Sequence, residues 1–186
     1  MKIEKAQIED KTLLLVDGVP QSVYPPTDGG YWKHMVPDTL SGNEVLVLGL
    51  GGGTIARLIL EKYPDANITG VDNNSLLLDA ADKDLNLSNL DIDIYIEDGF
   101  EYVKKIDKRF DLIIVDMWNG CWFPIKVLSK EFVKECEALL NDGGQLFINT
   151  PSLDYLAHES LKDRGAMRDD IERNIIYQFK LTKIGQ

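Results

Sequence analysis

The chain has 186 residues, 44% of them hydrophobic and 27% charged, with a formal net charge of −11 at pH 7. That length suits one α/β domain with a full core, and the acidity argues against a nucleic-acid backbone as partner while suiting a small cationic substrate or simple solubility. No apolar run reaches the roughly 18 residues of a membrane span, and Met1-Lys2-Ile3-Glu4-Lys5 lacks the apolar stretch of an export signal, so a cytoplasmic protein without a membrane partner is expected.

Cys121, Cys136, His34 and His158 lack the spacing of a metal site, and none is expected. Residues 3–21 predict a β-hairpin with its turn near 9–11, followed by a second turn over Asp17-Gly18-Val19-Pro20. Pro25 to Gly30 reads as a connector, and Tyr31 to Pro37 as a short helix or loop. Val45-Leu46-Val47-Leu48 has the continuous apolarity of a strand buried on both faces. It runs into Gly49-Leu50-Gly51-Gly52-Gly53 and then into a helix with Ile55, Leu58 and Ile59 on one face, ending by Pro64. Such a corner lets a ligand approach the main chain closely and presents N–H groups at a helix N-terminus, as a nucleotide-like ligand requires.

A second strand over 67–72 ends in Asp72, 23 residues after Gly49, near the spacing at which a doubly wound fold offers a carboxylate to ribose hydroxyls. Asn73-Asn74-Ser75 caps the next helix. Ile92, Ile94 and Ile96 mark a third strand that stops at Glu97-Asp98-Gly99, with a short helix over 100–106. Phe110 to Asp116 reads as a central strand. An amphipathic helix over 129–140 is closed by Asn141-Asp142-Gly143-Gly144, and a fifth strand covers 145–149. Beyond Pro151 the pattern predicts a helix over 152–164, a charged loop over 165–173 and a last strand over 174–183. This alternation implies a mostly parallel sheet with helices on both faces. Ligands of such sheets bind beyond the carboxyl ends of the strands, where the glycine loop, Asp72, Asp98 and Asp116 all fall.

Four segments, taken together, resemble the spermidine synthase branch of the class I S-adenosylmethionine-dependent transferases. They are Leu15 to Gln21, Gly49 to Thr54, Glu97-Asp98-Gly99-Phe100-Glu101-Tyr102-Val103, and Phe110 to Asp116, and the likeness covers roughly residues 3–150. It implies a Rossmann-like class I methyltransferase fold of the α/β class, preceded by a short N-terminal β-hairpin. The expected division is 1–40 for hairpin and connector and 41–186 for the nucleoside-binding domain. The implied cofactor is S-adenosylmethionine or its decarboxylated form. Gly49, Leu50, Gly51, Gly52 and Gly53 would pass its amino-acid end, Asp72 would meet the ribose and Asp98 the adenine, with Asn73 and Gly99 beside them as further cofactor-binding residues. Asp116 is the candidate to orient or deprotonate the nucleophile, Tyr31 matches a family tyrosine near the aminopropyl group, and Trp118 and Asn119 would face the acceptor.

The sequence departs from that family at two acids, since Gly52 and Asn119 stand where its motifs carry Asp. An acid at 52 would repel the carboxylate of intact S-adenosylmethionine by about 1–4 kcal/mol, so glycine makes methyl transfer to a small acceptor the leading expectation. Aminopropyl transfer and a non-catalytic nucleoside-binding domain are the alternatives. An NAD-dependent oxidoreductase, suggested by Gly49-x-Gly51 and Asp72, leaves the Asp98 segment unexplained and meets Thr54 where a third glycine belongs. The N-terminal hairpin could supply the face of a homodimer.

Overall fold

The computed structural model describes residues 1–26, 30–151, 167–171 and 174–180. Strands β1 (Ile3–Ile8) and β2 (Lys11–Val16) form the expected hairpin, and Asp17 and Gly18, at φ 49° and 80°, turn the chain into a third antiparallel strand, β3 (Val19–Tyr24). The second predicted turn therefore leads into a strand. Pro20 obscures it in the sequence, but among the described residues β3 pairs with β2 alone, and an edge strand tolerates a missing N–H. Between β2 and β3 the register slips: Leu14 faces Ser22 while Leu15 faces Pro20, which leaves Gln21 as the extra residue of a bulge.

The main sheet has seven strands in the order β6-β5-β4-β7-β8-β10-β9. Its parallel part is β4 (Glu44–Leu48), β5 (Asn67–Asp72), β6 (Ile92–Ile96), β7 (Phe110–Val115) and β8 (Leu140–Pro151). Helices α1 (Thr54–Lys62), α2 (Ser75–Leu85), α3 (Gly99–Lys105) and α4 (Lys130–Ala138) follow the strands as expected. The strand β10 (Asn174–Lys180) enters antiparallel between β8 and β9 (Met167–Ile171). The expected class I fold is thus observed.

Two sequence expectations fail. Residues 141–144 do not close a loop, because β8 starts at Leu140, opposite Phe110, and resumes at Gln145, opposite Leu112. Gly143 at φ 78° absorbs the irregularity between them, and Asn141 Nδ2 donates to Asp111 Oδ1 at 3.0 Å. The charged loop over 165–173 contains strand β9 at 167–171; β9 is an edge strand, where charged residues are tolerated. The helix expected over 152–164 and the end of the last strand at 181–183 lie outside the described residues. Among the described residues no helix is long and apolar enough to cross a membrane.

Strand alternation divides the core into two layers. Leu46, Leu48, Ile113, Val115, Leu146 and Ile148 point to one face and meet α3 and α4 through Phe100, Val103, Phe132 and Val133. Val45, Val47, Leu112, Ile114 and Phe147 point to the other, where α1 and α2 pack through Ile59, Leu78 and Leu85. That second layer also takes in Leu14 and Val16 of β2 and Met35 of a short 3-10 turn over Tyr31–Met35. The small sheet is thereby fastened to the body beside the carboxyl ends of the strands.

Phe132, 1% exposed, meets Phe100 edge-on with ring centroids 4.8 Å apart. Phe132→Ala leaves a void in the α3–α4 layer and is expected to lower stability by about 3–5 kcal/mol in urea unfolding. A loss below about 1 kcal/mol would mean that this layer closes over the gap.

Candidate active site

Parallel register brings the candidate residues into one row. Leu48 pairs with both Val71 and Val115, and Val115 with Ile148, so Gly49, Asp72, Asp116 and Asn149 all follow at the same level. The joint between Gly49 and Asp116 is tight: a Cβ on Gly49, whose φ is 88°, would lie 2.2 Å from the Asp116 carbonyl oxygen. Glycine is required there by the packing of two strand ends, independently of any ligand.

The glycine loop is engaged with its own protein. The N–H groups of Gly49 and Leu50 both donate to Val71 O, that of Gly53 to Leu50 O, and that of Gly51 to Asp72 Oδ2 at 2.8 Å. The Gly52 N–H donates to Ser22 Oγ of β3 at 2.5 Å. Position 52 is also closed sterically, since a Cβ would stand 2.6 Å from Ser22 Cβ and 2.7 Å from Leu85 Cδ1. The open anion cradle that the sequence suggests is therefore filled from within. One residue further on, Thr54 Oγ1 donates to Val23 O at 3.1 Å and accepts from Val23 N at 2.9 Å, which ties β3 to the start of α1.

Asp72 joins the loop to α2, accepting from Gly51 N on Oδ2 and from Asn74 N on Oδ1, and its burial raises its pKa. Asp98 caps α3, its Oδ1 accepting from the N–H groups of Phe100 and Glu101. Asp116 is held by two donors, Tyr31 Oη at 2.9 Å on Oδ2 and Asn149 Nδ2 at 2.7 Å on Oδ1. Burial pushes its carboxyl up to about 6; the bonds from Asn149 and Tyr31 oppose that shift, and the charge of Asp72 adds to it. The carboxyl is half-buried because it opens onto a cavity, yet desolvation by the surrounding protein dominates. Burial and the neighbouring Asp116 also raise the Tyr31 phenol well above its ordinary value, so it stays a proton donor.

Three adjoining cavities meet at Asp72 and Trp118. The largest, about 620 Å³, is bordered by Gln21, Ser22, Tyr31, Gly51, Asp116 and Asn149 among others. A second, of about 340 Å³, lies between Asp98, Gly99 and the aromatic side chains of Phe100, Trp122 and Phe123. The third, of about 370 Å³, is lined by the polar groups of Gln21, Asn73, Asn74 and Asn119. Among the described residues, the charged side chains on these walls are the carboxylates Asp72, Glu97, Asp98 and Asp116.

Of the candidates read from sequence, Tyr31, Gly49, Leu50, Gly51, Asp72, Asp116 and Trp118 share the largest cavity, and Asn73, Asp98, Gly99 and Asn119 lie in the adjoining ones. Gly52 and Gly53 turn away, toward Ser22 and toward Leu87. The Trp118 indole N–H is buried without a hydrogen-bond partner where the cavities join, and Asn149 Oδ1 is likewise unpaired. Ser22 and Asn149 are wall residues absent from the sequence candidates, and Gln21 and Thr54, which end two of the segments that carry the resemblance, line the wall without a role assigned from sequence. Asn149 could have been found by the strand-end rule that found Asp116. Ser22 reaches the site through a bulge at Gln21 that no periodicity in the sequence announces.

The family model described as Methyltransferase small domain matches residues 32–164. A polyamine aminopropyltransferase of Vibrio vulnificus is 27% identical over 170 residues, covering 85% of this chain and 55% of that protein. The ribosomal RNA small subunit methyltransferase C of Haemophilus influenzae is 29% identical over 147 residues, covering 78% of this chain and 43% of that one. The crystal structure of a probable spermidine synthase from Corynebacterium glutamicum superposes with a TM-score of 0.83 at 21% identity, covering 99% of this chain and 78% of that one. The chain spans 24% to 62% of the length of the first curated relatives it matches. With a family model matched over most of its length and strands in the class I order, the chain belongs to the methyltransferase small domain family, in a spermidine synthase-like form of the fold.

Proposed function

We propose that this chain is a transferase using an S-adenosylmethionine-type nucleoside, that it acts on a small amine, and that the decarboxylated nucleoside is its preferred donor. The observation that carries this reading is the wall beside the glycine loop, where Asp72 and Asp116 present carboxylates while the loop's own N–H groups from 49 to 53 are engaged inside the protein. A tail ending in a carboxylate would meet two like charges and would have to displace an internal acceptor to bond the loop; an ammonium tail meets neither obstacle. This reverses the preference for methyl transfer drawn from Gly52, because position 52 faces Ser22 and Leu85.

The other groups fit a sulfonium nucleoside. Asp98 and the rings beside it offer a slot for a flat base, and the unpaired Trp118 N–H offers a donor at the junction. Bound there, the nucleoside supplies an electrophilic carbon next to a sulfonium. The protein holds the amine in line and takes its proton, a task for Asp116, whose orientation Tyr31 and Asn149 set. In this reading residues 1–40 cap the site and 41–186 form the nucleoside-binding body. Methyl transfer from the intact nucleoside is the second reading, favoured by Asn119, which stands where an acid would grip a cationic acceptor. The relative that methylates ribosomal RNA is a weaker guide, given the net charge of −11.

Calorimetric titration with the two nucleosides, followed by product masses after incubation with 1,4-diaminobutane, tests this directly. The decarboxylated form is expected to bind at least about tenfold more tightly, and the amine to gain an aminopropyl group. The opposite order would hand the site to methyl transfer, and binding of neither would remove both. For the base, turnover is expected to climb with pH to about 6 and level off above it. Asp116→Asn is expected to lower kcat by about 10²- to 10⁴-fold. The same group makes a stability prediction. Its folded-state pKa of about 6 lies above the unfolded value, so the folded protein holds the proton longer and the Asp116 contribution to stability falls as pH rises from about 4 to 6. Asp116→Asn should therefore gain stability relative to the parent at pH 8 and lose that advantage at pH 4; equal differences at both pH values would rule out the raised pKa.

A further inference from the structure

Ser22 lies on β3 of the small sheet, 1% exposed, with its hydroxyl between two main-chain groups. It donates to Gln21 O at 2.6 Å and accepts the Gly52 N–H at 2.5 Å. Through the second bond a residue outside the sheet-and-loop unit supplies the acceptor for a loop amide. The other loop amides differ: Gly49, Leu50 and Gly53 bond to main-chain carbonyls of that unit, and Gly51 bonds to Asp72, which also holds Asn74 N. The Ser22 hydroxyl is thus the one acceptor along 49–53 that a side-chain truncation can remove without breaking the loop or disturbing Asp72. Nor does β3 depend on it for attachment, since the neighbouring Val23 and Thr54 exchange two hydrogen bonds of their own.

Ser22 also borders the largest cavity, beside Gly51 and Asp72. An oxygen of a ligand carboxylate seeking the Gly52 amide would have to stand where Ser22 Oγ already stands. Resting on the transferase reading above, we infer that Ser22 is a specificity-determining residue: its hydroxyl plugs the anion position of the glycine loop, turning away nucleosides with a carboxylate tail and leaving those with an aminoalkyl tail unaffected. The hydroxyl satisfies the amide without adding charge, so the wall keeps the negative character of Asp72 and Asp116. The reciprocal arrangement at position 52 fits this role. A side chain there would collide with Ser22 at 2.6 Å, so Ser22 keeps its place against the loop only while residue 52 is glycine.

The test titrates the intact chain, Ser22→Ala and Ser22→Cys with three probes: S-adenosylmethionine, its decarboxylated form, and 5′-methylthioadenosine, which lacks the tail. Freeing an amide for a charged acceptor should tighten S-adenosylmethionine by about tenfold in Ser22→Ala, measured as the ratio of its Kd to that of 5′-methylthioadenosine. The corresponding ratio for the decarboxylated form should stay within about twofold. Ser22→Cys keeps a side chain of similar size with a weaker acceptor, so it should move the first ratio in the same direction by less; it also carries the test if the alanine variant fails to fold. A purely structural role would shift all three probes together, and constant ratios would overturn the assignment to Ser22. Failure of the unsubstituted chain to bind any of the three would instead overturn the transferase reading itself.

Discussion

The approach of Gly49 to Asp116 governs the rest of the site. Asp116 N donates to Leu48 O at 2.8 Å, and a Cβ on residue 49 would be 2.2 Å from Asp116 O, so two neighbouring strands end against each other with no room for a side chain. With β4 held to β7 on one side and, through the Gly49 and Leu50 amides, to Val71 on the other, the loop leaves the sheet in one direction only. That direction carries Gly51 to Asp72 and Gly52 to Ser22. Asp116, being the residue Gly49 touches, is then bound to project its carboxyl over the same corner.

An engaged loop changes the electrostatic meaning of a glycine-rich corner. Free amides at a helix N-terminus attract anions, but amides bonded to Asp72, Ser22 and neighbouring carbonyls contribute little further attraction. What remains at the surface of the cavity is the charge of the carboxylates. Asp116 shows the effect of that arrangement: burial, with the charge of Asp72 adding to it, shifts its carboxyl up to about 6.

How much of this was readable in the sequence follows from how local each cause is. Strand ends were legible, because continuous apolar runs such as Val45 to Leu48 and Phe110 to Val115 stop abruptly, and parallel pairing then aligns Gly49, Asp72 and Asp116 without further information. Gly143 and Gly144 misled because a glycine pair after a helix reads as a stop, whereas the pairing of Leu140 with Phe110 draws the pair into β8. Met167 to Ile171 reads as loop by its charge, and only its pairing with β10 makes it a strand. At Gly52 the missing side chain reads as open space, but that space is filled by Ser22, a residue thirty positions earlier that arrives through a register slip.

That register slip makes the small sheet part of the site. Had β3 paired with β2 without the extra residue, the faces of Gln21 and Ser22 would be exchanged, since a shift of one residue reverses every side chain beyond it. With the bulge, Ser22 turns to the glycine loop, Gln21 Nε2 reaches Gly120 O at 3.3 Å, and Tyr31, a few residues on, meets Asp116. The α/β body by itself would present Asp116 with only Asn149 to orient it and a loop with one open amide. The small sheet and its connector supply the phenol, the hydroxyl and a wall of the largest cavity, so the lining of that cavity is a property of the two parts together.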